Sequence, residues 1–517
     1  MPLSSESEVV RRLAEEGLNA SPDAVARIAG STDTEALVRA LARTTDGPVV
    51  TREDVVAAEG TGPVDSDTDD SLPDPPEGPG DTTARSGSGD ARTDGALSPT
   101  DESPSSIDGY GSSRTAGSSS TRSPSPVDVS KDITGESTCT GEYSDFVTYF
   151  RDRFDRLSGM LRSRIQPRTI ESAASGGKEV ALVGMVNDVR TTSSDRDNRL
   201  VEVEDPTGEI RLLLSDEHVD VAETLVVDEV IGVEGRLSDD GGLVFVEEVH
   251  FPEVPPRREP STASREVKAV LVSDIHVGSE TFVRERWEMF ADWIARQEDV
   301  EYLLVGGDMV EGVGVYPGQD DELTTVDIYE QYRDCAEMFD ALPEDIEIVT
   351  ITGNHDSVRL AEPQPALDER FREPFGENVS FHGNPSIVTV EGVDVLMYHG
   401  MSLNPFAESL PHVEIESPET AMVEMLRKRH LAPMYGDVRL APEKEDHLVI
   451  DDVPDVLHTG HTHTVGAEKY RSVLTVNTGA WQAQTPYQKS MNIQPDVGYA
   501  GVLDLSTLEL DMKQFAP

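Results

Sequence analysis

The run IEIVTIT (346–352), followed at once by Gly353-Asn354-His355-Asp356, decides the fold. It is short, apolar and rich in β-branched residues, as in a strand buried on both faces, and it stops at a polar cluster. Four other runs end the same way. Val270–Val272 lead into Ser273-Asp274-Ile275-His276, and Tyr302–Val305 into Gly306-Gly307-Asp308. Val393–Met397 lead into Tyr398-His399-Gly400, and Val456-Leu457 into His458-Thr459-Gly460-His461-Thr462-His463. Helix-like stretches lie between them, so residues 265–517 read as an α/β domain with central sheets. Ligands of such sheets collect at the carboxyl ends of the strands, and the five clusters are therefore expected in one crevice.

The crevice would hold oxygen donors from Asp274, Asp308 and Asn354 and imidazoles from His276, His399, His461 and His463. Mixed oxygen and nitrogen ligands without thiolate suit Mn²⁺, Fe or Zn²⁺ rather than calcium, and seven donors exceed the needs of one ion. Two metals are implied. A pair bridged by a carboxylate is the arrangement that clamps the attacking and leaving oxygens of a phosphoester.

Upstream, residues 178–255 alternate apolar and polar residues in short pieces separated by DPTG and SDDGG. The spacing is that of a five-stranded barrel with one helical interruption near 216–224, a pattern that resembles an OB-fold. With only Phe245 and Phe251 as aromatic platforms, a protein-interaction role is favoured over direct strand binding. Residues 141–177 hold an amphipathic helix and connector, in which Phe146, Phe150, Phe154, Leu157, Leu161 and Ile165 form one stripe. Arg151, Arg153, Arg156, Arg162 and Arg164 lie off that stripe and read as pairing with local acids. Residues 59–140 are rich in Ser, Gly, Pro, Thr and Asp and are expected to be a disordered acidic linker. Residues 1–58 read as four short helices, a mini-domain for docking a partner, with starts at Ser5, Ser21, Thr32 and Thr51 and a core of Val9, Val10, Leu13, Val25, Ile28, Leu37, Val38 and Leu41. The chain is thus expected to be a multidomain α+β protein: helical mini-domain, OB-fold β-barrel and C-terminal α/β sandwich.

At 517 residues the length allows about three domains. The net charge is −56, and only 8 of the 43 basic residues are Lys. An acidic surface relieved by Arg keeps a protein hydrated in concentrated salt, which points to the cytoplasm of an extreme halophile. In molar salt counterion release is nearly extinguished, so the acidic total does not exclude a nucleic-acid substrate. No apolar stretch is long enough to cross a bilayer, and no membrane partner is expected. Cys139 and Cys335 cannot make a thiolate zinc site or a disulfide framework.

The motifs D-x-H, G-D, G-N-H-D, H-G and G-H-x-H, in that order, resemble those of the calcineurin-like metallophosphoesterases. The resemblance implies that Asp274, His276 and His463 hold a first divalent ion with Asp308 as a bridge. Asp308, Asn354, His399 and His461 would hold a second, with Mn²⁺ the first choice and Mg²⁺, Fe or Zn²⁺ the alternatives. It makes His355 the group that protonates the leaving oxygen or steadies the phosphoryl transition state. Glu311 stands where some relatives place an acid that orients that histidine, and Asp356 is its rival. His458 matches no ligand position and reads as an outer support or a packing residue.

A closer resemblance covers nearly the whole chain. The domain order, together with EGVGVYPGQDDEL (311–323), RKRHLAPMYGD (427–437) and TGAWQAQTPYQKSMNIQP (478–495), is similar to that of the small subunits of archaeal family D DNA polymerases. It implies a 3′→5′ exonuclease that proofreads at single-stranded or mismatched DNA 3′ ends. The implied partner is a large catalytic polymerase subunit, and the sliding clamp is a further candidate. Two other readings stand beside it: another metallophosphoesterase, either a repair nuclease or a small-ester phosphatase, and a non-catalytic assembly subunit. Eukaryotic relatives have lost ligands, whereas every ligand position is filled here.

Overall fold

The computed structural model describes most of residues 124–516 and, between 9 and 58, the segments 19–20, 22–29, 34–44 and 49–50 with a few single positions. Residues 59–123 lie outside the described residues, as do Val10 and the four helix starts expected at Ser5, Ser21, Thr32 and Thr51. Within the first 60 residues, helices Pro22–Ala29 and Thr34–Thr44 pack Val25, Ile28, Leu37, Val38 and Leu41 together with Val9 and Leu13. Two short strands that helical periodicity did not suggest, β1 (Asn19–Ala20) and β2 (Val49–Val50), pair in parallel beside this core.

The segment 124–136 departs from the linker expectation. Asp128–Lys131 form strand β3, antiparallel to a strand of the C-terminal domain. Val127 and Val129 pack on that domain's core, and Tyr302 Oη accepts the Ser125 N–H at 2.7 Å. Asp132 accepts from Gly383 N–H at 3.0 Å and lies 3.2 Å from His382 Nδ1. A Ser- and Pro-rich composition concealed a strand whose one apolar residue is Val129.

The helix Tyr143–Arg162 buries Phe154, Leu157 and Leu161 from the expected stripe, and also Tyr149. Of the arginines expected to pair with local acids, Arg156 does so with Asp152, whereas Arg153 is buried and finds its partner far off in the sequence. Its Nε donates to Asp446 Oδ2 at 2.6 Å, and its Nη1 to the carbonyl of Pro433 at 2.7 Å. Arg156 pairs with Asp152 and Asp451.

Strands β4 (Glu179–Thr191), β5 (Arg199–Asp205), β6 (Gly208–Leu214), β7 (Val230–Leu237) and β8 (Leu243–His250) close into a barrel in the order β4-β5-β6-β8-β7. A short helix, Val219–Ala222, interrupts the strands near the expected place. Alternate residues fill the interior, among them Leu182, Val201, Val203, Leu212, Leu214, Ile231 and Val233.

The C-terminal region has two six-stranded sheets face to face. The first contains β9 (Lys268–Val272), β10 (Val300–Val305), β11 (Glu347–Ile351) and β12 (Val379–His382), all parallel. Antiparallel strands β18 (Tyr499–Asp504) and β19 (Glu509–Gln514) extend it. The second contains β13 (Ser386–Val390), β14 (Val393–Met397), β15 (Val456–Thr459), β16 (Val465–Tyr470) and β17 (Val473–Thr478), with β3 at its edge. Alternation sorts each strand between layers. Ala269, Leu271, Leu304, Val349 and Ile351 meet Val388, Val395, Met397 and Val476 between the sheets, while Val270, Val272, Leu303, Val305 and Ile348 face helices carrying Trp287, Phe290 and Phe339. This mixed α/β sandwich brings the carboxyl ends of β9, β10, β11, β14 and β15 to one place.

Candidate metal centre

Each expected ligand lies in the loop immediately after one of these strands. The first two loops brace each other: Asp274 N–H donates to the Gly307 carbonyl at 3.0 Å, and His276 N–H to the Asp308 carbonyl at 3.1 Å. Asp274, His276, Asp308, His461 and His463 all have positive φ, between 51° and 71°. A left-handed backbone costs a non-glycine residue roughly 1 kcal/mol, and five such residues around one point mark a site held against local preference. The motif glycines have a steric reason. A Cβ on Gly353 would stand 2.2 Å from Asp308 Oδ1, and one on Gly460 would stand 2.3 Å from Asp274 Oδ2, so only glycine lets the carboxylates settle against the neighbouring backbone.

The donors form two groups. In one, His463 Nε2 is 3.4 Å from Asp274 Oδ1 and 3.1 Å from His276 Nε2. In the other, Asn354 Oδ1 is 3.0 Å from His399 Nε2 and 2.9 Å from His461 Nδ1. Asp308 Oδ2 lies between the groups, 3.3 Å from His399 Nε2 and 3.8 Å from His276 Nε2. His399 Nδ1 donates to the Gly306 carbonyl at 2.9 Å, which orients the ring and turns Nε2 inward.

The donor set fits a pair of divalent cations. Asp274 and Asp308 are buried, and among the described residues their ion-pair partners are imidazoles, with no Lys or Arg. Buried carboxylates need compensating positive charge, which bound metal provides. Burial pushes Asp274 upward, but hydrogen bonds from His276 and His463 outweigh it and hold the carboxyl well below its usual range. Burial lowers His399, yet the charge of Asp308 prevails and lifts it to about 10.

His355 stands at the edge of this cluster, its side chain 17% exposed where those of Asp274, His276, Asp308, His399 and His463 are at 0 to 8%. Its ring meets that of His276 edge-on at 4.7 Å, and its Nδ1 is 2.8 Å from the Glu311 backbone carbonyl. The Glu311 carboxylate is 2.9 Å from His276 Nδ1 through Oε2 and 3.8 Å from His355 Nδ1 through Oε1. Burial raises Glu311, but the charge of His355 and the contact with His276 bring it down to about 2. Asp356 turns elsewhere, accepting from Gly353 N–H at 2.9 Å and Tyr332 Oη at 3.2 Å, and burial together with Asp308 pushes it up to about 6. His458 is fully buried on β15, neither ring nitrogen has a hydrogen-bond partner among the described residues, and a Cβ on Gly306 would approach its Cε1 at 3.2 Å.

Residues 267–465 match the model of the family described as calcineurin-like phosphoesterase. Over its whole length the chain is 46% identical to the DNA polymerase II small subunit of Halobacterium salinarum, which it also covers completely. The chain belongs to the archaeal DNA polymerase II small-subunit family. The small subunit of Archaeoglobus fulgidus is 43% identical over 72% of this chain and 78% of its own, and that of Methanothermobacter thermautotrophicus 40% over 74% and 82%.

Membership in this small-subunit family gives context to residues that spacing did not single out. Gln482 Nε2 donates to Glu311 Oε2 at 2.7 Å, and Gln319 Nε2 to the Glu311 carbonyl at 2.9 Å. The Gln488 amide lies 2.8 Å from His463 Nδ1. All three fall in the stretches 311–323 and 478–495, whose resemblance to the family was legible although no role could be assigned to single glutamines. Among the described residues, no helix is long and apolar enough to cross a membrane.

Proposed function

We propose that this chain is a metal-dependent 3′→5′ exonuclease that proofreads for the large catalytic subunit of an archaeal family D DNA polymerase in the cytoplasm. The observation that carries the reading is the convergence of seven oxygen and nitrogen donors in two groups about Asp308, with a partly exposed His355 beside them. Asp274, His276, His463 and Asp308 would hold one ion, and Asp308, Asn354, His399 and His461 the other. Bound metal, Mn²⁺ first among Mg²⁺, Fe and Zn²⁺, supplies Lewis acidity that activates water near neutral pH and offsets phosphate charge.

The remaining roles fall to side chains. His355, with Nδ1 engaged by the Glu311 carbonyl, presents Nε2 as the atom that carries a proton to the leaving oxygen. Water oxygen becomes bonded to phosphorus, the bond from phosphorus to O3′ of the penultimate nucleotide breaks, and that O3′ takes the proton. The products are a nucleoside 5′-monophosphate and a strand one residue shorter with a 3′ hydroxyl. Frayed ends are favoured because a paired terminus must first be unstacked, and a mismatch lowers that cost. The closed barrel, read as an OB-fold, and residues 1–58 serve as docking surfaces for protein partners, the sliding clamp among the candidates.

The test is a 5′-labelled single-stranded oligonucleotide incubated with the full chain, Mn²⁺ and molar KCl. A ladder shortening from the 3′ end, lost by at least about 10²-fold in His355→Ala, is the expected result. Hydrolysis of bis(p-nitrophenyl) phosphate without any ladder would make the chain a small-ester phosphodiesterase. Failure to bind metal would make it a scaffold.

A further inference from the structure

Two tyrosines stand near His355 at the edge of the metal centre. Tyr316 lies five residues after Glu311, and its Oη is 3.2 Å from both Glu311 Oε1 and Glu322 Oε2. Burial and the charges of those two carboxylates push its phenol up, so the ring stays neutral. Its ring centre is 6.4 Å from that of His355 and 6.5 Å from that of Tyr487. The two tyrosine planes are only 28° apart. Tyr487 belongs to the short helix Pro486–Ser490 and is 60% exposed. The next residue, Gln488, is buried with its amide against the ligand His463, so this helix is anchored to the metal centre while its tyrosine faces solvent.

We propose that Tyr487, backed by Tyr316, is the platform on which the base of the penultimate nucleotide stacks, the nucleotide whose 3′ oxygen departs. The assignment rests on the exonuclease reading. It follows from placement: His355 serves the leaving oxygen, and Tyr316 and Tyr487 follow it at successive ring separations of 6.4 and 6.5 Å, within one nucleotide's reach. It also follows from the solvent implied by a charge of −56. Charge attraction to DNA is screened within about 3 Å at 1 M salt, whereas stacking of a base on an aromatic ring persists. Aromatic platforms accept any base, as a proofreading site must.

The experiment uses the full chain with Mn²⁺ in molar KCl and the variants Tyr487→Ala and Tyr487→Phe. An oligonucleotide with 2-aminopurine at the penultimate position reports stacking by fluorescence quenching, with no turnover required. Quenching by wild type and Tyr487→Phe, lost in Tyr487→Ala, is expected. In hydrolysis, Tyr487→Ala should raise KM about tenfold with a smaller change in kcat. Wild type should show the same rise when the penultimate base is replaced by an abasic analogue, and the two losses should not add. Additive losses, or an equal rise with an abasic residue at the terminal position alone, would overturn the assignment. Hydrolysis without quenching would overturn the platform and leave the exonuclease standing. Quenching without hydrolysis would uphold the platform and remove the exonuclease.

Discussion

Glu311 meets His355 through its backbone carbonyl, 2.8 Å from Nδ1, and not through its carboxylate, which is 3.8 Å away. The carboxylate instead faces Nδ1 of the proposed ligand His276 at 2.9 Å. One residue therefore serves two histidines by different atoms, and a side-chain change separates them. Glu311→Gln keeps the carbonyl and weakens the support of His276. The Mn²⁺ concentration for half-maximal activity should rise by roughly 10- to 100-fold, with kcat at saturating metal nearly unchanged. A large loss of kcat at saturation would mean that the carboxylate itself acts on His355.

Asp308→Asn tests the bridge. Asp308 Oδ2 faces His399 and His276, which belong to the two different donor groups, while Oδ1 accepts the His355 backbone N–H at 2.8 Å. An amide offers one neutral acceptor where a carboxylate offers two charged ones, so both ions should weaken together. Elemental analysis of the dialysed variant should show both occupancies reduced. One ion at full occupancy with the other absent would rule out a shared ligand.

The five strand ends were legible because a buried parallel strand is a continuous apolar run and the polar cluster at its carboxyl end breaks that run abruptly. Asp274, His276, Asp308, Asn354, His399, His461 and His463 could be named before any geometry, and the structure brings all seven together. The choice between Glu311 and Asp356 could not be made, because the atom that reaches His355 is a carbonyl, which every residue possesses. Gln319, Gln482 and Gln488 carry no charge and no periodic signal. Arg153 reads as pairing with a local acid, but its buried partner Asp446 lies 293 residues away in sequence, beyond any local pattern. Strand β3 escaped because pairing with β13 is a property of the partner edge more than of Asp128–Lys131.

That strand alters where the chain can be cut. A protein beginning at residue 121 keeps β3, and one beginning at 141 loses its pairing with β13, the Lys131 Nζ donation to the Val449 carbonyl at 2.7 Å and the contacts of Asp132. The first truncation should melt close to the full chain in molar KCl. The second should melt at least about 5 °C lower, the shift expected for a loss of a few kcal/mol from a domain of this size. Equal melting temperatures, followed by circular dichroism, would show that β3 contributes nothing to the fold.

The last prediction concerns acid. His430 is buried, its Nδ1 accepts the Ala432 N–H at 3.0 Å and its Nε2 is 2.8 Å from Asp446 Oδ2, so the ring is neutral with its proton on Nε2. Burial lowers its pKa from 6.5 to about 4, and the nearby cations Arg153 and Lys131 act in the same direction against the pull of Asp446. The unfolded chain therefore takes up this proton first as pH falls. The stability that His430 contributes is complete above about pH 6.5 and declines between there and pH 4. Asp446 loses its part only lower, because His430 and Arg153 overcome the effect of burial and hold its carboxyl far below the usual value. His430→Gln removes the first of these titrations and leaves the second. Melting temperatures measured at fixed molar KCl should show wild type and variant diverging from pH 4 to 6.5, with the variant the flatter. Parallel profiles across that interval would mean that the His430 ring is already charged in the folded protein, and the hydrogen bond from Ala432 would then have to be reassigned.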